Sequence, residues 1–135
     1  MTGIQEHDGR RRETLLRVHR PNDCIFTLSL TIDPAKDIMF TEFYDYGPSG
    51  DDPGREYGYS VHAPYDALKT LADAYAPGSE GPAKDRLIDA FKHLIASGEL
   101  GDHLPLKTNQ ELVQRAFEAA GVMTAADTWV WHNSE

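Results

Sequence analysis

Residues 24–33, with the sequence CIFTLSLTID, alternate between apolar and polar side chains with little interruption. The apolar side holds Cys24, Phe26, Leu28, Leu30 and Ile32. The other side is polar except at Ile25. A period of two that is maintained over such a stretch is typical of a strand with one buried face. The stretch therefore predicts a half-buried β-strand within a sheet.

Three further strands are predicted around this one. Residues 13–20 precede it across a turn signal at residues 21–23, and residues 38–45 follow it after a second turn signal at residues 33–37. Residues 55–62 alternate again, with two tyrosines and a valine on one side. Short connections between successive strands favour hairpins, so the pattern predicts an antiparallel meander of four strands.

The period of the sequence changes after His62. Apolar residues then recur at intervals of three and four, which predicts three helices. These helical stretches are residues 65–75, 83–97 and 108–120. Gly98 and Gly121 are expected to end the second and third helices. Thr108 and Glu111 form a capping-box pattern, which predicts that their side chains cap the start of the third helix.

A run of strands followed by a run of helices indicates the α+β class. We expect a four-stranded antiparallel meander followed by three helices packed on one face, with a short C-terminal strand at residues 127–132. A length of 135 residues fits one domain, which is assigned to residues 13–135. Residues 1–12 are polar and are expected to form a flexible N-terminal tail that includes the arginines at residues 10–12.

The chain is acidic, with a formal net charge of −9. Residues 1–20 are nevertheless basic, with five arginines against three carboxylates, whereas residues 33–56 carry seven carboxylates against two basic residues. An acidic protein repels the phosphate backbone, so nucleic acid is not an expected partner. The acidity contributes to solubility, and it also favours a basic protein as a possible partner.

Cysteine use and hydropathy predict the cellular setting. Cys24 is the only cysteine, which excludes an intramolecular disulfide, and its apolar surroundings in the sequence predict a buried, unreactive thiol. The sequence shows no secretory signal pattern and no apolar run of membrane-spanning length. We therefore expect a cytoplasmic protein that does not enter a membrane.

Aromatic rings and carboxylates are concentrated in residues 40–59, FTEFYDYGPSGDDPGREYGY. Tyrosine is enriched at binding hot spots, and carboxylates around it steer a basic partner. We therefore expect a protein-binding surface with tyrosine anchors and pairing carboxylates. Its predicted members are Glu42, Tyr44, Asp45, Tyr46, Asp51, Asp52, Glu56, Tyr57 and Tyr59. The alternative for the tyrosines is that some of them fill the core between the sheet and the helices.

No motif in the chain predicts a reaction. The histidines lack zinc-ligand spacing, and Asp89 with His93 is interpreted as a contact on a helix surface. The aspartates of residues 45–52 lack the order of an EF-hand, although whether that loop binds a cation stays open. Nucleophile-elbow and phosphate-loop patterns are also absent. We therefore expect no metal, no cofactor and no enzymatic activity.

In size, acidity and predicted architecture the chain resembles bacterial toxin-immunity proteins, a likeness that no single motif carries. The resemblance implies a small regulatory module that binds a basic protein and occludes it. Two alternatives stay open. One is an enzyme or small-ligand-binding protein with a pocket between sheet and helices, using His62 or His19 with Asp45. The other is a structural homo-oligomer, possible as a homodimer, in which Trp129, Trp131 or an edge strand pairs across a two-fold axis.

Overall fold

The sheet consists of six antiparallel strands that lie side by side in chain order. The computed structural model describes residues 5–7, 9–21, 23–48 and 53–132. The strands are β1 (Gln5–His7), β2 (Arg10–Arg20), β3 (Cys24–Ile32), β4 (Asp37–Tyr46), β5 (Arg55–Pro64) and β6 (Ala125–His132). Although all the helices separate β6 from β5 in the sequence, the two strands pair along their length.

Three helices connect β5 to β6. They are α1 (Leu68–Tyr75), which follows a short 3-10 helix (Tyr65–Ala67), α2 (Ala83–Ala96) and α3 (Thr108–Ala119). Gly98 and Gly121 follow the ends of α2 and α3 with φ angles of 86° and 82°, a left-handed conformation that glycine adopts at little cost. The predicted α+β fold, with an antiparallel meander, three helices and a C-terminal strand, is confirmed.

The N-terminal residues differ from the prediction. Residues 10–12, which the sequence places in a flexible tail, are the first residues of β2, and β1 pairs with them. Arg11 and Arg12 also pair with Ile32 and Thr31 of β3. Pairing between strands satisfies backbone N–H and C=O groups whatever the side chains are, so a polar sequence can extend a sheet. The sheet therefore has one more strand before the meander than the hydrophobic pattern predicts.

The helices cover one face of the sheet. Phe40 of β4 lies against Phe91 of α2, with ring centroids 5.5 Å apart, and Phe91 lies against Phe117 of α3. The apolar side of residues 24–32 is buried in this layer, as the alternation predicts. Cys24 belongs to it, and burial raises the pKa of its thiol. No helix of the described residues packs on the opposite side, which is called the open face below.

Buried tyrosines make the fold sensitive to alkali. Burial raises the pKa of the Tyr44 and Tyr75 hydroxyls above the ordinary value of 10.0. Above about pH 10 the unfolded chain therefore loses protons that the folded chain keeps, and the free energy of unfolding falls as the pH rises. Urea denaturation at increasing pH should show a fall that Tyr75→Phe reduces. The fall should persist in Tyr65→Phe, which leaves the two buried hydroxyls in place, and an equal fall in both variants would contradict this assignment.

Candidate ligand-binding site

The predicted protein-binding surface does not lie on one face of the molecule. Glu42, Tyr44 and Tyr59 point into the core, with exposed fractions of 0%, 1% and 7%. The rings of Tyr44 and Tyr59 meet edge to face, with centroids 6.1 Å apart. The prediction that these three residues are available to a partner is therefore wrong. The reason is the alternation of β4 and β5, which places them on the same side as Phe40 and Val61.

The other predicted members of that surface are divided between the two faces. Asp45 and Glu56 lie opposite each other in the β4–β5 pairing, on the open face. Tyr46 and Tyr57 are half-buried on the helix-covered face, with ring centroids 5.7 Å apart. Asp51 and Asp52 lie outside the described residues, and so does the loop whose cation binding the sequence leaves open. The described members therefore do not form a continuous patch of rings and carboxylates.

The buried carboxylate of Glu42 caps the first turn of α3. Its Oε1 accepts the backbone N–H of Gln110 at 2.9 Å, and its Oε2 accepts the backbone N–H of Lys107 at 3.1 Å. The Tyr44 hydroxyl donates to the same Oε2. The first N–H groups of a helix have no partner within the helix and favour negative charge nearby. Glu42 therefore joins the middle of the sheet to α3.

The predicted capping box at the start of α3 is wrong. Thr108 is the first helical residue, and the cap position is occupied by Lys107, which has a φ of 73° and makes no capping hydrogen bond with its side chain. A capping box requires the threonine to precede the first helical residue, so Thr108 and Glu111 are out of phase by one position. The sequence signal for the actual cap is an acidic residue, Glu42, on the apolar side of a strand.

The open face contains a cavity of about 430 Å³. Basic residues of β2, hydroxyl-bearing residues of β2 to β5 and two aromatic residues line it. The lining consists of Arg10, Arg12, Thr14, Arg17, Thr27, Ser29, Thr31, Met39, Thr41, Phe43, Ser60 and Trp129. Among these described residues there is no carboxylate. We call this space the open-face cavity, and it combines the convergent polar groups and apolar surface that are typical of ligand sites.

The lining of the open-face cavity is ordered across the strands. The arginines lie on β2, and the register places Arg12 opposite Thr31 and Arg17 opposite Thr27 on β3. Thr27 in turn lies opposite Phe43 on β4. The arginines of β2 form a cationic zone, and Phe43 and Trp129 form an aromatic zone. The hydroxyl groups of β3 form a hydroxyl zone between them. The strands β2 and β4 are two strand spacings, or about 10 Å, apart.

The arginines of this cavity have few acidic neighbours. Arg10 lies 3.9 Å from Asp33, measured from Nε to Oδ2, and its side chain is partly exposed. Within the described part of the chain, no carboxylate forms an ion pair with Arg12 or Arg17, and both are exposed. The open-face cavity therefore has a positive side, although the chain as a whole has a net charge of −9. Such a site attracts anions locally.

A β-bulge in β2 brings these arginines to the same face. Arg12 and Arg17 are five positions apart, an odd spacing that directs side chains to opposite faces of a regular strand. The register shifts between Thr14 and Leu16, which lie opposite the adjacent residues of β3, so Leu15 is an extra residue. Bulges re-aim side chains and are enriched beside functional sites. The sequence signal is the pair of adjacent leucines, which interrupts the alternation of the strand.

The aromatic side of the cavity depends on Gly58. Trp129 of β6 lies opposite Gly58 of β5, and its ring lies 5.6 Å from that of Phe43, measured between centroids. A Cβ added to Gly58 would lie 2.0 Å from Cε2 of the indole, so the indole occupies the space of the missing side chain. Trp129 remains 39% exposed. It lies on the open face, away from the helix-covered core. The side chain of Trp131 lies outside the described part of the structure.

Gly58→Ala should displace the indole of Trp129 from the sheet. We expect the free energy of unfolding to fall by about 1–3 kcal/mol, the usual cost of forcing extra atoms into a packed site. Tryptophan fluorescence in a Trp131→Phe background should shift to longer wavelength. Thr128→Ala, on the other face of β6, is the control and should leave the emission unchanged. An unchanged spectrum in Gly58→Ala would contradict the observed packing.

His62 joins three strands at one end of the open face. Its Nδ1 lies 2.7 Å from Asp37 Oδ2 on β4, and its Nε2 lies 3.1 Å from Asp127 Oδ2 on β6. Carboxylates only accept hydrogen bonds, so the imidazole can donate to both when it is protonated on both nitrogens. The alternative in which His62 acts with Asp45 is therefore not the pairing observed. His19 is exposed on the open face, beside Ile25.

Neither a metal site nor a polar pocket between sheet and helices is found among the described cavities and clusters. Among the described residues, no group of three or more His, Cys, Asp or Glu side chains is placed to hold a metal ion. A second cavity of about 380 Å³ lies among the three helices and is lined mainly by apolar side chains, with Tyr75, Leu94 and Leu112 among them. This cavity among the helices therefore offers fewer polar groups than the open-face cavity.

No family model, curated protein or solved structure matches the chain. None of the helices in the described residues has the length and apolar character needed to cross a membrane. The feature that bears most directly on function is therefore the chemistry of the open-face cavity.

Proposed function

We propose that the protein binds a small anionic molecule that carries a flat apolar ring, in the open-face cavity. One observation carries the proposal: Arg12 and Arg17 converge on a cavity whose described lining contains no carboxylate, in a chain with a net charge of −9. Arginines without acidic partners are strong donors for carboxylates and phosphates. The bulge at Leu15, which places both on this face, supports the same proposal.

Each zone of the cavity has a role in this binding mode. The guanidinium groups of Arg12 and Arg17 bind the anionic group. Phe43 and Trp129 contact the ring, because aromatic side chains offer a large apolar surface with little flexibility. The hydroxyl groups of β3 lie between them, and those of Thr41 and Ser60, whose oxygens are 3.0 Å apart, lie beside the aromatic side; together they orient the ligand. A volume of about 430 Å³ lies within the usual range for sites of small molecules.

The charges at the ends of the open face favour a small ligand over a long polyanion. Asp45 and Glu56 lie together beyond the row of Phe43 and Gly58. Asp127 lies beside Ser60, toward β6. A single anionic group fits beside β2 without meeting these carboxylates. An extended chain of phosphates across the sheet would meet them, and like charges at short distance oppose binding.

Binding of a basic protein and catalysis have less support from the geometry. A surface that occludes a basic partner would need Glu42, Tyr44 and Tyr59 to be accessible, and these three residues are buried. For catalysis, the described lining of the open-face cavity offers no acid, histidine or cysteine as a general acid, base or strong nucleophile. We therefore propose a binding role for the protein rather than an enzymatic one.

Calorimetric titration with matched aromatic probes tests this proposal. 1-Naphthyl phosphate and 1-naphthoate should bind, whereas neutral 1-naphthol should bind far more weakly. Arg12→Gln and Arg17→Gln should each weaken binding of the anions by roughly tenfold, because each removes charge-assisted hydrogen bonds. Arg115→Gln removes the same charge from the exposed surface of α3 and should have no effect. Equal binding of all three probes, or no effect of the β2 variants, would refute the proposal.

A second candidate function is self-association through β6. This strand forms an edge of the sheet, and its described side chains are exposed, with Val130 at 44%. An unpaired edge without lysine or proline readily pairs with another strand, and two copies of β6 satisfy each other across a two-fold axis. Light scattering after size-exclusion chromatography should then show a dimer that Val130→Lys converts to a monomer. A monomeric wild type at high concentration would exclude this role.

A further inference from the structure

We infer that the ligand of the open-face cavity is a nucleoside 5′-monophosphate. This inference rests on the proposed function and narrows it. The three zones of the cavity follow one another as arginine, hydroxyl and aromatic groups, from β2 across β3 to β4 and beyond. A nucleotide presents phosphate, sugar and base in that order. The strands of the outer zones are two strand spacings apart, about 10 Å, and a nucleotide lying across β3 places its sugar between them.

The hydroxyl zone distinguishes a nucleotide from a simpler aromatic anion. Ser29 and Thr31 of β3 are nearly buried at the floor of the cavity, with exposed fractions of 4% and 6%. A ligand whose middle is apolar would cover these hydroxyl groups and leave them without partners, which is costly. A sugar supplies hydroxyl groups that both donate and accept hydrogen bonds at this position. The floor therefore selects for a ligand that is polar between its ring and its anionic group.

The cationic zone is suited to one phosphate group. Arg12 and Arg17 lie on either side of Thr14 along β2, and both side chains are long enough to converge above it. Arg10 is the third arginine of the zone, but it already has Asp33 at 3.9 Å. Two guanidinium groups match the charge of a phosphate monoester. A longer phosphate chain would have to draw on Arg10 as well, which already lies close to Asp33.

The aromatic zone is expected to accept any base. Phe43 and Trp129 offer ring surfaces, and stacking on such rings depends little on the identity of the base. The hydroxyl groups nearest to these rings, on Thr27 and Thr41, can donate or accept. We therefore expect purine and pyrimidine nucleotides to bind with affinities that differ by less than roughly tenfold.

Calorimetry with adenosine 5′-monophosphate and its fragments tests the inference. The probes are the nucleotide, adenosine, ribose 5-phosphate and 1-naphthyl phosphate. The nucleotide should bind roughly tenfold or more tightly than each of the other three, because each of them lacks one zone's partner. Trp129→Leu should weaken binding of the nucleotide by roughly tenfold and leave ribose 5-phosphate unchanged. Arg12→Gln should weaken binding of the three phosphate-bearing probes and leave adenosine unchanged, and Arg115→Gln should change none.

The outcomes separate the inference from the proposed function. If 1-naphthyl phosphate binds as tightly as the nucleotide, the inference is overturned and the proposed function stands. If neither binds, both are overturned. If oligoadenylates bind with an affinity that rises steeply with length, single-stranded nucleic acid replaces the mononucleotide and the inference is overturned. A nucleotide preference that Trp129→Leu and Arg12→Gln reduce as stated would support the inference.

Discussion

Replacing Glu42 with alanine is expected to lower the free energy of unfolding by about 3–5 kcal/mol, through loss of a helix cap and desolvation of the donors left behind. The substitution removes the acceptor of the Gln110 and Lys107 N–H groups and of the Tyr44 hydroxyl. The alanine side chain offers these donors no replacement acceptor. Glu42→Gln should lower the free energy of unfolding by less, because the amide keeps one oxygen that can accept a hydrogen bond. Some loss should remain, because the NH₂ group then faces another donor. Urea denaturation of both variants measures the effect.

The matched controls for this prediction are Thr108→Ala and Glu111→Ala. They remove the two residues of the apparent capping box, which make no capping contact in the structure. Each should change the free energy of unfolding by less than about 0.5–1 kcal/mol, as is usual for helix positions away from a cap. A large loss in Glu111→Ala combined with a small loss in Glu42→Ala would show that α3 is capped as the sequence pattern suggested, and not by the sheet.

Deleting Leu15 is expected to keep the anion site, with an affinity for 1-naphthyl phosphate within about threefold of wild type, because the charge-assisted contacts of both arginines remain. The deletion removes the extra residue of the bulge. Arg12 and Arg17 are then four positions apart in a regular strand, and an even spacing keeps their side chains on one face. The measurement is calorimetry on the folded deletion variant, after circular dichroism has confirmed its strand content.

Leu15→Ala is the control for the deletion. It removes most of the same side chain from its place beside the core but keeps the length of β2 and its bulge. We expect it to lower the free energy of unfolding while the affinity for the anion stays within about threefold of wild type, since neither arginine moves. Loss of binding in Leu15→Ala, or in the folded deletion variant, would contradict the role assigned to the bulge, which is to absorb one residue so that both arginines share a face.

The fold was predictable where the alternation of side chains was regular. The clean period of two in residues 24–33 predicted β3 and its buried side, and its neighbours followed from the turn signals on both sides. The pairing of residues 10–12 was not predictable from that pattern. Backbone hydrogen bonds extend the sheet there without apolar residues. The capping of α3 by Glu42 joins residues far apart in the sequence, and local capping rules do not address such contacts.

The candidate site was less predictable than the fold. The density of aromatic and acidic residues around Tyr44 and Tyr59 predicts a surface, yet the period of their strands turns both side chains inward. Arg12 and Arg17 were assigned to a tail and to the first strand, and only the bulge makes them neighbours on one face. Trp129 reaches the cavity because β6 returns to β5 after three helices. Register and strand order, which create the site, are not encoded in local periodicity.

The most direct test of the proposed site is an NMR titration of the ¹⁵N-labelled protein with 1-naphthyl phosphate. The account predicts saturable shifts of the Arg12 and Arg17 guanidinium signals and of the Trp129 indole N–H, together with backbone amides of β3. Signals of α2 and α3 should stay in place. Shifts centred instead on Tyr75 and Leu112, in the cavity among the helices, would contradict the open face as the binding site. The absence of any saturable shift would contradict the proposed function itself.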